Sequence, residues 1–221
     1  MSGITSPALP DRLTGVIFDC DGVLIDSRAA NAEYYNRVLA AFGLPPLTDE
    51  QEAYTFMATA EQALKYIVPP SLHSRLPEVC RTAVDYFRDI LPLIRLVDGL
   101  RDFLAFLHEH DVRRAVHTNR AGGMTAVLDR FELNGWFDPV VTVEIVAPKP
   151  APDGIFYVQK QWGAPTDELL FIGDSDNDAR TAAAGGVPFV AFRNPALDAA
   201  VKVDSFAELA GVLRSGPLRG C

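Results

Sequence analysis

Residues 16–27 read VIFDCDGVLIDS. Val16, Ile17 and Phe18 form an apolar run that stops at Asp19, the pattern of a buried parallel strand reaching the edge of its sheet. Asp19 and Asp21 therefore stand at a strand's carboxyl end, and Gly22 permits a tight turn directly after them. Working outward, the pattern returns at 112–116 before Thr118, at 140–143, at 169–172 before Asp174 and at 188–192. Helical periods fill the intervals: Leu100, Phe103, Leu104 and Leu107 recur at three and four residues, Val127, Leu128 and Phe131 do likewise, and 155–162 is long enough for a third helix. A short strand at 201–203 and a helix at 206–213 close the chain. Strands alternating with helices define an α/β protein with a parallel sheet.

The rhythm breaks between 28 and 96, where helical signals follow one another and no strand pattern is found, so an all-helical insertion is predicted. Tyr35, Val38, Leu39 and Phe42 mark one apolar face, closed by Gly43 and the Pro45-Pro46 breaker. Thr48 with Gln51 and Thr59 with Gln62 match the capping box at a helix start. After Pro69-Pro70, a further helix is expected to carry Val79, Cys80, Ala83, Phe87, Ile90 and Leu91.

Composition narrows the function. At 221 residues and 48% hydrophobic, the chain can bury one core, or one core plus a small accessory domain. A net charge of −9 suggests no basic surface able to neutralise a run of phosphates, so nucleic acid is not an expected partner. No stretch approaches the roughly 20 apolar residues of a membrane span, and the N-terminus lacks a basic segment followed by a hydrophobic one. A soluble, cytoplasmic protein with no membrane partner is expected, as a monomer or homodimer. Cys20, Cys80 and Cys221 are odd in number and widely spaced, which fits neither a disulfide framework nor a zinc site, and they are read as reduced thiols.

Four strand-end sites could carry chemistry: Asp19-Cys20-Asp21-Gly22, Thr118-Asn119, Lys149-Pro150 and the segment from Gly173 to Asp178. In an open α/β sheet, ligands bind outside the carboxyl ends of the strands, so these sites can converge on one crevice. If Asp19, Asp21, Asp174 and Asp178 meet there, their mutual repulsion calls for a divalent cation. Magnesium suits oxygen ligands shared with a substrate phosphate, and the absence of His and Cys ligand sets from these loops disfavours zinc. Asp19 can then act as nucleophile. Lys149 would offset charge in the transition state, and Thr118 can donate a hydrogen bond to a phosphoryl oxygen. Asp21 suits general acid and base work.

These residues resemble the haloacid dehalogenase superfamily in its phosphatase branch. The stretches FDCDGVLIDS (18–27), VHTN (116–119), KPAPDGIF (149–156) and FIGDSDNDARTAAAGG (171–186) are similar to the four family motifs, in the family's order. The resemblance implies a three-layer Rossmann-like core formed by 1–27 and 97–221, with 28–96 as a small helical cap closing over the site. It implies a magnesium-dependent phosphatase that hydrolyses a small phosphorylated metabolite through a phospho-aspartate. Asp19 would be nucleophile and metal ligand, and Asp21 acid/base and a metal ligand through its carbonyl. Thr118, Asn119 and Lys149 would hold the phosphoryl group, Asp174 would bind magnesium and Asp178 would support the metal site. Asp21 favours phosphate esters over the dehalogenases and phosphonate hydrolases of the family. Sugar-phosphate mutases keep both aspartates, but many carry a His about ten residues past the acid/base Asp, where this chain has Asn31. A mutase, and a non-catalytic module that binds a phosphate ligand, are the alternatives.

Other features have plainer readings. His108-Glu109-His110 is a solvated helix end, because residues two apart on a helix face different sides. His117 points away from Thr118 on an alternating strand and is assigned to packing, as is Cys20. Gly185-Gly186 reads as a helix C-cap and Gly122-Gly123 as a turn into a helix. Arg28, Asn31, Tyr54, Phe56 and Lys65 are candidates for substrate recognition.

Overall fold

A computed structural model describes residues 8–121 and 123–218; Gly122 and Cys221, named above, lie outside them. From the N-terminus, β1 (Gly15–Phe18) leads through the acidic turn to β2 (Ile25–Asp26), and a helical run follows: α1 (Arg28–Ala41), α2 (Asp49–Met57), α3 (Ala60–Ile67) and α4 (Leu76–Ala83). After β3 (Arg95–Leu96), strand and helix alternate as α5 (Leu100–Glu109), β4 (Arg113–His117), α6 (Met124–Arg130), β5 (Val140–Val141), α7 (Asp153–Trp162), β6 (Leu169–Gly173), α8 (Asp176–Gly185), β7 (Phe189–Phe192), β8 (Val201–Val203) and α9 (Phe206–Ser215).

Six strands form one sheet in the order β5-β4-β1-β6-β7-β8, and every pairing is parallel. Alternation along β1 sorts the core into two layers. Val16 and Phe18 pack into a cluster with Phe103 and Leu104 of α5, Val127 of α6 and Leu209 of α9. Ile17 faces the other way, among Ile155 and Val158 of α7 and Ala182 of α8. Helices therefore cover both faces, as an all-parallel sheet requires, and this is the three-layer Rossmann-like core expected from the sequence.

Two expectations in the helical segment are corrected. The segment is not free of strand: β3 pairs antiparallel with β2, Ile25 opposite Leu96 and Asp26 opposite Arg95, so the chain enters and leaves the segment along one short ribbon. The helix expected to run from Val79 to Leu91 ends at Ala83, where Val84 turns extended. Asp85 accepts a hydrogen bond from the Arg88 N–H and starts a separate π turn over Tyr86–Ile90, the competition with a continuous helix that short carboxylates provide. Phe87 consequently lies 69% exposed rather than on an apolar face. Both capping boxes form, Thr48 with Gln51 and Thr59 with Gln62.

Candidate active site

The register of the three central strands assembles the site. Phe18 lies opposite Val116 on one side and Ile172 on the other. The residues that follow each strand therefore emerge along one edge, and the Asp19 N–H continues the pairing by donating to the Ile172 carbonyl at 2.9 Å. Gly22 turns the chain with φ +86°, and a Cβ there would run into the Asp174 carboxylate, so glycine is needed both for conformation and for close approach.

Asp19, Asp174 and Asp178 each offer a carboxylate oxygen within 4.8 Å of the others. Lys149, buried, donates from Nζ to Asp19 Oδ1 at 2.6 Å and to Asp178 Oδ1 at 2.5 Å. The far oxygen of Asp178 accepts from the Ser175 N–H at 3.0 Å and hydroxyl at 2.5 Å, while Ser175 caps α8. Burial, followed by the repulsion of Asp178, drives Asp19 well above the usual carboxylate range and lifts Asp174 to about 7. Lys149 is held charged, since the attraction of Asp178 and Asp19 outweighs its burial.

Asp21 takes a different place. Its carboxylate stands outside that group of three and meets the Arg120 guanidinium, which donates from Nε at 3.2 Å and Nη2 at 2.5 Å, and it also accepts from the Ser27 hydroxyl. Burial would raise Asp21, but Arg120 outweighs it and holds the group below its ordinary value. Arg120 is anchored in turn by donating from Nη1 to the Tyr86 hydroxyl at 3.0 Å. Sequence reasoning missed Arg120; the available signal was a cation directly after Thr118-Asn119 in a crevice expected to be acidic. Thr118 is buried and accepts the Arg120 N–H at 3.0 Å. The Asn119 side chain, expected at the phosphoryl group, is engaged with the Lys149 backbone, donating to its carbonyl at 3.1 Å and accepting its N–H at 2.7 Å. That exchange ties the two loops together and positions Lys149.

Above these groups lies a cavity of about 270 Å³, walled on the helical side by residues including Asn31, Tyr34, Tyr35, Phe56 and Met57. The Asn177 side chain joins the two sides by donating to the Met57 carbonyl at 3.0 Å. Of the five recognition candidates, Asn31 and Phe56 line the cavity. Arg28 lies over the Phe56 ring at 4.5 Å, Tyr54 packs on Tyr66 with ring centroids 4.2 Å apart, and Lys65 pairs with Glu61. Cys20 is buried and its thiol is pushed up, first by burial and then by Asp21.

Residues 16–192 match the model of the haloacid dehalogenase-like hydrolase family. A phosphoglycolate phosphatase from Pseudomonas fluorescens (strain Pf0-1) is 30% identical over 183 residues, which cover 79% of this chain and 67% of that protein. The chain thus spans about two thirds of the length of the curated relatives it matches. Among solved structures, a HAD-superfamily hydrolase, subfamily IA, variant 1, from Geobacter sulfurreducens PCA superposes with a TM-score of 0.78 at 34% identity, covering 91% of this chain and 100% of that one. CbbY from Rhodobacter sphaeroides, solved in complex with phosphate, shares the fold at a TM-score of 0.74 and 22% identity, covering 89% and 96%. The chain belongs to the haloacid dehalogenase-like hydrolase family. Within that family its relatives put it among the phosphatases, enzymes that hydrolyse phosphoric monoesters.

Proposed function

We propose that the chain hydrolyses a small phosphomonoester in two steps through a phospho-aspartate at Asp19, with magnesium, and that 28–96 acts as a cap over a core made of 1–27 and 97–221. The observation that carries this reading is the group of three carboxylates within 4.8 Å, bridged by Lys149, at the carboxyl edge of a parallel sheet. Three carboxylates against one ammonium leave two negative charges over, the charge that one divalent cation balances. The donor set is all oxygen, which suits magnesium. Asp19, Asp174 and Asp178 would hold the ion, which supplies charge neutralisation so that a phosphate dianion can approach.

In the first step an Asp19 carboxylate oxygen attacks phosphorus, the ester P–O bond breaks, and the departing oxygen takes a proton from Asp21. Water then attacks the acyl phosphate and gives a proton to Asp21, the P–O bond to Asp19 breaks, and inorganic phosphate leaves. Arg120 holds Asp21 as the carboxylate, the form the second step uses; the first needs it protonated, so the ion pair has to loosen as substrate arrives. Thr118 and Lys149 would contact the phosphoryl oxygens, and Asp178 would keep Lys149 in place. A cytoplasmic setting suits Cys20 and Cys80 as free thiols, and among the described residues no helix is long and apolar enough to cross a membrane.

The test is hydrolysis of para-nitrophenyl phosphate in magnesium buffer. Turnover is expected in the wild type and is lost in EDTA. Asp19→Asn is expected to remove at least a thousandfold of the rate while its circular dichroism spectrum stays that of the wild type. Undiminished turnover in Asp19→Asn would overturn the reading.

A further inference from the structure

The cavity's walls carry information about the substrate beyond its phosphate. The residues of its helical side are uncharged, and Tyr34, Tyr35, Phe56, Met57, Tyr86 and Ile90 are among them. Among the described residues that line it, Arg120 and Lys149 are the cations, and both stand on the core side, outside the helical segment. Lys149 bridges Asp19 and Asp178, and the three guanidinium nitrogens of Arg120 are engaged by Asp21 and Tyr86. Arg28 lies over the Phe56 ring and does not itself line the cavity.

A second anionic group on the substrate would therefore lose its water among aromatic and aliphatic side chains, with no cation among the described lining residues of the helical side to meet it, which is unfavourable. An apolar group would lose water on the same walls with gain, and flat rings offer stacking surface. The geometry points to a phosphomonoester whose leaving group is uncharged and largely apolar, an aryl or arylalkyl alcohol, in place of the carboxylate-bearing ester for which several relatives are named. Asn31 and Thr55 on the same wall leave room for one hydroxyl or carbonyl on that group. The cavity, at about 270 Å³, has room for a single ring beside the phosphate. This inference rests on the phosphatase reading above.

The test compares benzyl phosphate with 2-phosphoglycolate, both esters of primary alcohols, with para-nitrophenyl phosphate as control. The wild type is expected to show a kcat/KM for benzyl phosphate at least tenfold higher, with most of the difference in KM. Met57→Lys, which puts a cation on the wall, is expected to narrow or reverse the ratio, and Phe56→Ala to narrow it through a higher KM for benzyl phosphate. Equal or better use of 2-phosphoglycolate by the wild type, with the control hydrolysed, overturns the inference and leaves the phosphatase reading standing. Failure to hydrolyse all three esters overturns both.

Discussion

His117 sits one residue before Thr118 and faces the opposite layer of the sheet. It is fully buried, its ring lies edge-on to Phe171 at a centroid distance of 6.0 Å, and neither ring nitrogen has a hydrogen-bond partner. Gly154 is the reason it fits, because a Cβ at that position would strike the imidazole. Burial first, and the nearby Lys149 charge second, depress His117 to about 3. Above about pH 6.5 the imidazole is neutral in both folded and unfolded chains and contributes no pH dependence. Between there and about pH 3 the unfolded chain takes up a proton that the folded chain refuses, so stability falls as pH drops, by up to about 1.4 kcal/mol per pH unit. Denaturant melts at pH 7.5 and pH 5 should therefore show a smaller acid loss in His117→Leu than in the wild type. Equal losses in the two proteins would show that His117 is not the group responsible.

Capping separates a helix that only has to exist from one that has to hold a functional group. Thr48 and Ser175 are both N-caps with capping boxes, on α2 and α8. Replacing either by alanine removes a cap worth about 1 kcal/mol. Thr48→Ala should stop there, with activity unchanged, because its cap bonds serve only the backbone and Gln51. Ser175→Ala also takes a hydrogen bond from Asp178 Oδ2, and losing such a support to a metal-site carboxylate typically costs about 10- to 100-fold in metal affinity or activity. Parallel melts and magnesium titrations of turnover check the pair; the expected outcome is similar melting losses and a higher magnesium requirement in Ser175→Ala alone. Both capping boxes of the helical segment were legible because each is written within four consecutive residues. The helix break at Val84 was not, since the apolar spacing of Val79, Ala83, Phe87 and Ile90 continues a helical period that Asp85 interrupts by accepting a hydrogen bond from the Arg88 N–H.

For the molecule as a whole, the crevice concentrates like charge between core and helical segment, so binding a cation there should be felt as folding stability. A ligand at a hundred times its dissociation constant adds about 2.7 kcal/mol, which in a chain of this size is a rise in Tm of about 5–11 °C. Thermal melts with and without millimolar magnesium are expected to show such a rise in the wild type and none in Asp174→Asn; a wild type indifferent to magnesium would remove the cation from the mechanism. Sequence alone determined the parallel α/β core, the helical segment between its first two core strands, and the order of the acidic and polar strand ends, because strand runs, helical periods and caps are written in residues close together along the chain. Only the tertiary structure decided which of those ends pair. Lys149 bridges Asp19 and Asp178 across 130 and 29 positions, and Arg120 claims Asp21 across 99. Such pairings depend on strand register and on which way each side chain turns at the sheet edge, and both are set by packing between segments that are distant in the chain.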